Sequence, residues 1–275
     1  MMERIQAAIQ KAKEQRSTAG PMPPRRPGVP EGRSWPAHRP AGPIWAELQG
    51  FTPDPGVMRT NRIVTFERRD PVHTTFDMMR TKTIRMMRDK GWTSIGITSP
   101  TAGCGKTTVG LNLAFSLAHQ PDMRTVLMDL DLRRPAVAKH LGLSQPQSMA
   151  SVLQGTRELT ENFVRFGDNL AIGTSARGIR SASEILQHAD TGRVLADLKA
   201  AFQPDVLIYD LPPMLVNDDV MAFLPHVDCV LLVAAAERSR LDEIDKCEQD
   251  LADQTNVLGV ILNKCRYPGE DYGYY

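Results

Sequence analysis

Residues 93–108 read TSIGITSPTAGCGKTT, and this stretch decides the fold. Residues 93–99 predict a β-strand, and the apolar periodicity that follows residue 108 predicts an α-helix. The glycine-rich loop between them, residues 103–108, can turn backbone N–H groups toward phosphate oxygens at the positive end of that helix. Lys106 would then reach the β- and γ-phosphates of a nucleotide, and the Thr107 hydroxyl would bind Mg²⁺.

The loop departs from the full nucleotide-binding pattern at one position. The pattern is G-x-x-x-x-G-K-[ST], and Pro100 stands where the first glycine belongs. A surface Gly-Lys-Thr turn is the alternative, which the order strand, loop, helix disfavours. The sequence therefore predicts that ATP is bound by Gly103, Cys104, Gly105, Lys106, Thr107 and Thr108.

From residue 92 onward, strand-like runs alternate with amphipathic helical runs. The predicted strands are residues 93–99, 125–129, 170–174, 206–210, 230–235 and 257–263. Several of these runs are almost entirely apolar, which is typical of strands covered on both faces of a parallel sheet. The pattern predicts an α/β fold with a doubly wound, mostly parallel sheet of the phosphate-loop NTPase type. Ligands of such sheets bind at the carboxyl ends of the strands.

Carboxylates stand at the ends of two further predicted strands. Asp210 opens an Asp-Leu-Pro-Pro motif, where a carboxylate can hold Mg²⁺ through water. Asp129 and Asp131 lie in DLDLRRP; alone, such a pair is typical of a solvated turn. Beside Mg²⁺, one of the two can hold the metal shell while the other accepts a proton from a hydroxyl. Arg133 and Arg134 would counter the carboxylates or the phosphates, or face solvent.

The end of the chain is rich in tyrosine. Four of the five tyrosines fall in the last nine residues: Tyr267, Tyr272, Tyr274 and Tyr275. A solvated end without function is the alternative, but tyrosine is scarce elsewhere in the chain. These four side chains are the candidate phosphate acceptors.

Composition excludes several classes of protein. The net charge of +1 argues against a nucleic-acid binder that relies on bulk charge. Four widely spaced cysteines without a C-x-x-C pair indicate neither a zinc site nor a disulfide framework. No signal peptide or membrane-spanning run is recognised. We therefore expect a cytoplasmic protein; if it works at the inner face of a membrane, something else holds it there.

Three parts are predicted: an extension over residues 1–62, a phosphate-loop domain over 63–265, which the resemblance given next makes a kinase domain, and a Tyr-rich tail over 266–275. A helix at residues 3–16 is too short to be stable alone, so it either docks or is disordered. Residues 21–55 hold ten of the twenty prolines, which predicts an extended spacer. A docking site for a partner is the alternative for this segment.

Taken together, these motifs resemble those of the bacterial tyrosine kinases (BY-kinases), cytoplasmic autokinases of capsule and exopolysaccharide synthesis. The resemblance covers about residues 72–275. It rests on the loop at residues 103–108 with Asn112-Leu113-Ala114, on D-x-D-x-R-x-P at 129–135, on the Asp-Leu-Pro-Pro motif and on the tyrosine tail. The motif D-x-D-x-R-x-P together with a tyrosine cluster is specific, whereas each nucleotide motif alone is not.

The resemblance implies roles for individual residues. Asp129 would be the base for the tyrosine hydroxyl, Asp131 and Asp210 would organise Mg²⁺, and Asn263 would lie near adenine. The implied reaction moves the γ-phosphoryl group of ATP to the tail tyrosines of a neighbouring copy. The implied partners are a membrane polysaccharide co-polymerase or adaptor, further copies of this chain, and an opposing tyrosine phosphatase.

The chain departs from related families in two ways. Partitioning and septum-positioning ATPases carry a lysine early in the loop, whereas this chain has Thr101, which favours the kinase branch. An E-x-x-R-x-x-R pattern that builds rings is matched here by Thr74, Asp77 and Arg80, of which only the arginine fits. The alternative function is an ATP-dependent switch that acts with a membrane partner and phosphorylates nothing. At the start of the helix, the Cys104 thiol is a candidate for modification that ATP would block, and the alternative is a small side chain that points away from the phosphates.

Overall fold

The computed structural model describes residues 42–144 and 147–266. Within them, eight strands form one sheet in the order β1-β4-β5-β3-β6-β2-β7-β8. The strands are β1 (Gln49–Gly50), β2 (Ser94–Thr98), β3 (Thr125–Asp129), β4 (Phe163–Phe166), β5 (Leu170–Gly173), β6 (Val206–Asp210), β7 (Cys229–Ala235) and β8 (Asn256–Asn263). All neighbouring strands are parallel except β4 and β5, which are antiparallel.

Helices connect the parallel strands. They are α1 (Pro43–Glu47), α2 (Pro55–Thr60), α3 (His73–Lys90), α4 (Lys106–Ala118), α5 (Val137–Leu141), α6 (Met149–Leu153), α7 (Leu159–Asn162), α8 (Ala182–Gln187), α9 (Ala189–Phe202), α10 (Asp219–Phe223) and α11 (Leu241–Ala252). A 3₁₀ turn, Leu224–His226, precedes β7. This architecture confirms the predicted α/β fold with a mostly parallel sheet.

Two apolar layers cover the sheet, one on each face. Successive residues of the central strands point to opposite layers, as Val126 and Leu127 of β3 show. Strands β2, β3, β5, β6 and β7 are buried along their whole length. Burial on both faces explains why these strands were recognisable as apolar runs, and all six predicted strands are observed within two residues of the predicted ends.

Strands β1 and β4 were not predicted. β1 has only two residues, and β4 follows helix α7 without a linking residue, so neither shows a repeating pattern. Their place in the sheet comes from tertiary pairing: Gln49 aligns with Val164, and Val164 with Ile172. Sequence periodicity cannot record such pairing for strands this short.

The packed part of the chain begins before the predicted domain boundary at residue 63. Trp45 is 1% exposed, and its Nε1–H donates to the carbonyl of Phe202 at 3.0 Å. Leu48 and Met58 are also buried in the core. Residues 42–62, assigned to the extension on the strength of their prolines, therefore pack on the sheet and its helices. The predicted helix at 3–16 and most of the Pro-rich segment lie outside the described residues.

Candidate active site

The sheet brings the three predicted motifs to one edge. In the pairing of β3 with β6, Asp129 stands opposite Asp210, so the two carboxylates close adjacent strands at the same level. Strand β2 lies on the other side of β6, and the phosphate loop follows it. This placement is what the order of strands and motifs in the sequence predicts.

Glycines give the phosphate loop its shape. Gly103 has φ of +81° and Gly105 has φ of +94°, a region that other residues adopt only with strain. Gly105 caps α4, so the loop ends on a helix of 13 residues whose free N–H groups face the site. A Cβ on Gly105 would collide with the side-chain amide of Asn263.

Asn263 joins the end of β8 to the phosphate loop. Its Nδ2 donates to the carbonyl of Cys104 at 2.9 Å. The structure thus places this residue beside the nucleotide loop. A contact with adenine, which the resemblance implies for Asn263, stays a prediction.

Lys106 lies among the carboxylates of the site. Its Nζ is 3.0 Å from Asp131 Oδ2 and 3.1 Å from Asp210 Oδ1. Burial alone would lower the pKa of Lys106, but the negative charges of Asp210 and Asp131 outweigh it and raise the pKa to about 12. The ammonium is therefore charged at neutral pH and holds the two acidic motifs together.

Thr107 and Asp210 are linked directly. The Thr107 hydroxyl donates to Asp210 Oδ2 at 2.6 Å, and Asp210 is 1% exposed. Burial raises the pKa of Asp210, although Lys106 and the Thr107 hydroxyl favour its ionised form. A hydroxyl and a carboxylate at this distance are two of the oxygen donors that Mg²⁺ takes in phosphate-loop proteins.

Asp129 differs from its two neighbours in what it contacts. It is completely buried, and its Oδ2 accepts from the N–H groups of Ala136 and Val137 at 3.0 and 2.9 Å. Its Oδ1 has no hydrogen-bond partner among the described residues. Burial, and then the charge of Asp210, raise the pKa of Asp129 well above the usual range. A buried oxygen without a donor and with raised basicity suits proton acceptance.

The donors fit a nucleotide with Mg²⁺ rather than a metal held by protein alone. Among residues 42–144 and 147–266, no group of three or more His, Cys, Asp or Glu side chains is arranged to hold a metal. Mg²⁺ usually keeps several waters and takes one or two carboxylates plus substrate phosphates. Thr107, Asp131 and Asp210, with the unpartnered oxygen of Asp129 nearby, fit that description.

Two arginines of the D-x-D-x-R-x-P motif do not join the site. Arg133 binds Asp219 with two hydrogen bonds, Nε to Oδ2 at 2.8 Å and Nη2 to Oδ1 at 3.0 Å, and donates to the carbonyl of Arg180 at 2.7 Å. Arg134 is exposed. Arg133 therefore pairs with a carboxylate outside the site, and Arg134 faces solvent, which is one of the roles left open from the sequence.

Cys104 is a buried part of the loop. Its thiol is 2% exposed and donates to the carbonyl of Thr101 at 3.2 Å. It also lies 3.5 Å from the hydroxyl of Ser239, in the loop after β7. These contacts give Cys104 a packing role, and its burial limits access by alkylating reagents.

The candidate acceptors Tyr267, Tyr272, Tyr274 and Tyr275 lie outside the described residues. The remaining tyrosine, Tyr209 of β6, is fully buried, and burial raises its pKa far above the usual value. It is therefore no substitute acceptor. Within the part of the chain that the structure describes, no helix combines the length and apolarity needed to cross a bilayer.

Comparison with known proteins agrees with this geometry. The family model "CbiA: CobQ/CobB/MinD/ParA nucleotide binding domain" matches residues 95–271. EpsB of Ralstonia nicotianae, named as a candidate tyrosine-protein kinase, is 28% identical over 208 residues, or 74% of this chain and 27% of EpsB. The tyrosine-protein kinase YwqD of Bacillus subtilis is 28% identical over 190 residues, 68% of this chain and 79% of YwqD.

A solved structure shows the same relationship. The kinase domain of Escherichia coli tyrosine kinase ETK has a TM-score of 0.66 at 28% identity, covering 77% of this chain and 84% of that domain. The chain spans only about a quarter of the length of EpsB but most of YwqD and of the ETK domain. The resemblance to bacterial tyrosine kinases is thereby confirmed. The chain belongs to the CobQ/CobB/MinD/ParA nucleotide-binding domain family, and relatives of it there are bacterial tyrosine kinase domains.

Proposed function

We propose that this chain is an ATP-dependent protein-tyrosine autokinase that acts on the tyrosines of its own C-terminal tail. The observation that carries the proposal is Asp129: its Oδ1 is buried without a partner, beside a Lys106–Thr107–Asp210 cluster that fits a magnesium nucleotide. An ATPase that only switches between states also needs a residue that orients its water, so it is the tyrosine-rich tail that gives this base a phenolic hydroxyl to act on.

The residues divide the reaction among them. Asp129 takes the proton of the tyrosine hydroxyl, the phenolic oxygen bonds to the γ-phosphorus, and the bond from that phosphorus to the β–γ bridging oxygen breaks, releasing ADP. Lys106 stabilises the charge that spreads over the transferring group. Mg²⁺ held by Thr107, Asp131 and Asp210 would neutralise phosphate charge when the nucleotide is bound. Backbone N–H groups of residues 103–108 orient the phosphates.

The cellular setting follows from the kinship with BY-kinases. We propose a cytoplasmic enzyme, recruited to the membrane by a polysaccharide co-polymerase or adaptor and reversed by a tyrosine phosphatase. Its phosphorylation state would regulate capsule or exopolysaccharide synthesis or export. The acceptor of the phosphoryl group would be a second copy of the chain, so the active form would be an oligomer.

Phosphotyrosine mapping tests the proposal. The purified chain is incubated with ATP and Mg²⁺ and digested, and modified peptides are identified by mass spectrometry. We expect phosphate on Tyr267, Tyr272, Tyr274 or Tyr275, and none in a variant with all four changed to Phe. ATP hydrolysis without any phosphotyrosine, in both the parent and the Phe variant, would instead support the alternative ATPase switch.

A further inference from the structure

A basic side chain that the motifs do not include lies over the phosphate loop. Arg238 follows β7, and its Nη1 is 3.1 Å, and its Nη2 3.4 Å, from the point that a Cβ on Gly103 would occupy. The guanidinium thus rests on the backbone of the nucleotide loop. A Cβ at position 103 would crowd the guanidinium, so glycine suits this position.

Neighbouring contacts fix the backbone at Arg238, whose side chain is exposed. The Ser239 hydroxyl accepts from the N–H of Ala235 at 2.9 Å and lies 3.5 Å from the thiol of Cys104. The N–H of Arg238 donates to the carbonyl of Ala235 at 3.2 Å. Glu237 adopts φ of +62°, a conformation that costs a non-glycine residue about 1 kcal/mol or more. The chain therefore turns sharply after β7 and presents residue 238 to the loop.

The guanidinium of Arg238 carries a charge without a counter-charge. Within residues 42–144 and 147–266, no hydrogen bond or ion pair engages it. The carboxylate beside it in sequence, Glu237, pairs with Arg266 at 3.5 Å. Arg240, two residues further, binds Asp242 through Nε at 2.9 Å and Nη2 at 2.8 Å. Two nearby arginines are thus satisfied by carboxylates, whereas the one at the phosphate loop is not.

A second cation approaches the loop from β8. Lys264 follows Asn263 with φ of +60°, and its Cε lies 3.9 Å from the point that a Cβ on Gly105 would occupy. Its ammonium also has no carboxylate partner in the described residues. Two unpaired cations therefore flank the two left-handed glycines of the loop, which concentrates positive potential where an anion would sit.

We propose that Arg238 binds the phosphate chain of the nucleotide in cis, from the loop that follows β7. A guanidinium presents a planar fork of donors that matches phosphate oxygens and keeps its charge at any physiological pH. The inference rests on the proposed ATP site but not on transfer to tyrosine. A surface arginine without a ligand is the alternative.

Nucleotide binding tests the inference directly. Dissociation constants of fluorescent N-methylanthraniloyl-ATP and -ADP are measured by anisotropy with the full chain. We expect Arg238→Ala to weaken binding of ATP by roughly tenfold or more, since a hydrogen bond to a charged group is lost. Arg238→Lys should recover part of that loss, because charge returns without the fork. Arg240→Ala, the matched control from the same loop, should bind as the parent does.

Salt and thermal unfolding separate a phosphate contact from a structural role. The affinity of the parent should fall more steeply with NaCl than that of Arg238→Ala, because a charge contact is screened. Without nucleotide, the parent and Arg238→Ala should have the same melting temperature. Arg238→Ala binding as tightly as Arg240→Ala, or melting well below the parent without nucleotide, would overturn the inference. If Arg238 governs nucleotide affinity but no phosphotyrosine forms, the kinase proposal fails and this one stands.

Discussion

Lys106 sets the charge balance of the site. Its ammonium is in contact with Asp131 and Asp210, and Asp129 lies close enough to favour its charge as well. All four side chains are buried. Removing one partner of a buried ion pair leaves uncompensated charge, which costs far more than an exposed pair gains. We therefore expect Lys106 to stabilise the fold, in addition to its proposed role in phosphoryl transfer.

Lys106→Met should both abolish phosphotransfer and destabilise the nucleotide-free chain. Methionine matches the length of the stem but leaves Asp131 and Asp210 facing each other, which should lower the free energy of unfolding by about 3–5 kcal/mol at pH 7. Urea unfolding measures the loss, and Lys82→Met, on the exposed face of α3, is the control. Unfolding curves that coincide for Lys106→Met and the parent would show that the carboxylates do not depend on this cation.

Substitution of Asp129 and substitution of Asp210 should have different effects on nucleotide binding and on the rate of transfer. Asp210→Asn removes charge next to Thr107 and should weaken binding of magnesium nucleotide. Asp129→Asn should slow tyrosine phosphorylation by about 100-fold or more while ATP binding changes little, since it removes the base alone. Binding of ATP and the rate of transfer are measured for both variants. Equal loss of ATP affinity in the two would assign Asp129 to metal binding or structure.

Helices α3 and α4 are joined by a polar cluster of two buried residues, Arg80 and Ser116, and the partly buried Asp77. Arg80 donates to Asp77 Oδ1 at 2.6 Å and to the carbonyl of Ser116 at 3.0 Å, and the Ser116 hydroxyl donates to the same carboxylate oxygen. Asp77 and Arg80 are two of the three positions that match the ring-forming pattern. Here both are engaged inside one chain, which leaves little of that pattern for contact with a neighbour.

The pH dependence of stability should report this cluster. Burial would raise the pKa of Asp77, but the hydrogen bond from Ser116 and the charge of Arg80 outweigh it and lower the pKa below 3.8. A lowered folded-state pKa stabilises the chain above the unfolded value, and this contribution disappears as the pH falls through the folded value. Asp77→Asn should therefore cost about 1–3 kcal/mol at pH 7 and progressively less below pH 4.

Urea unfolding of Asp77→Asn and the parent, from pH 7 down to the lowest pH at which both are folded, measures the difference. Asp89→Asn is the control. Asp89 is exposed on the same helix, and its ion pair with Arg85 is long, at 4.0 Å, and exposed. A difference between parent and Asp77→Asn that is constant across this range would mean that the carboxylate contributes through its shape and not its charge.

Long, buried elements could be predicted from the sequence. The sequence also predicts that the motifs at the ends of these strands lie close together at one edge of the sheet. The strand ending in Asp210 is a run of apolar residues, and parallel strands bring their carboxyl ends to one edge whatever the helices between them. The contacts of Arg133, Arg238 and Asp77 could not be predicted in this way. Each depends on a partner far along the chain or on a turn conformation, and neither leaves a periodic pattern.

At the scale of the molecule, the N-terminal part of the described chain completes the core. Trp45 and Phe202 meet edge to face with ring centroids 5.6 Å apart, and Asn112 of α4 accepts from the N–H groups of Val64 and Thr65 at 2.8 and 3.2 Å. The chain before residue 63 therefore contributes to both layers, Trp45 and Leu48 to one and Met58 to the other, and the segment at 64–65 is fixed to the helix that follows the phosphate loop.

Two truncations should differ sharply in stability. A chain that starts at residue 63 loses the buried side chains of Trp45, Leu48 and Met58, which should lower the free energy of unfolding by at least about 4 kcal/mol, given roughly 1.5–3 kcal/mol for each. A chain that starts at residue 42 keeps all three and is the matched control. Thermal unfolding compares the two. Equal melting temperatures would restore residue 63 as the true start of the domain.

The tail should be phosphorylated in trans. From Lys264 to Tyr275 eleven steps span up to roughly 36 Å at about 3.3 Å each, enough to reach a neighbouring site, whereas return to the site of its own chain needs a tighter turn.

The test mixes an active chain that lacks residues 266–275 with a full-length Lys106→Arg chain, which keeps a cation among the carboxylates. Phosphotyrosine should appear on the Lys106→Arg chain, at a rate that rises with the concentration of active chain. Each phosphate adds nearly two negative charges beside Glu270 and Asp271, so the modified tail should leave the acidic site and self-association should weaken. Phosphate that never reaches the Lys106→Arg chain, together with a concentration-independent rate in the intact enzyme, would establish transfer in cis.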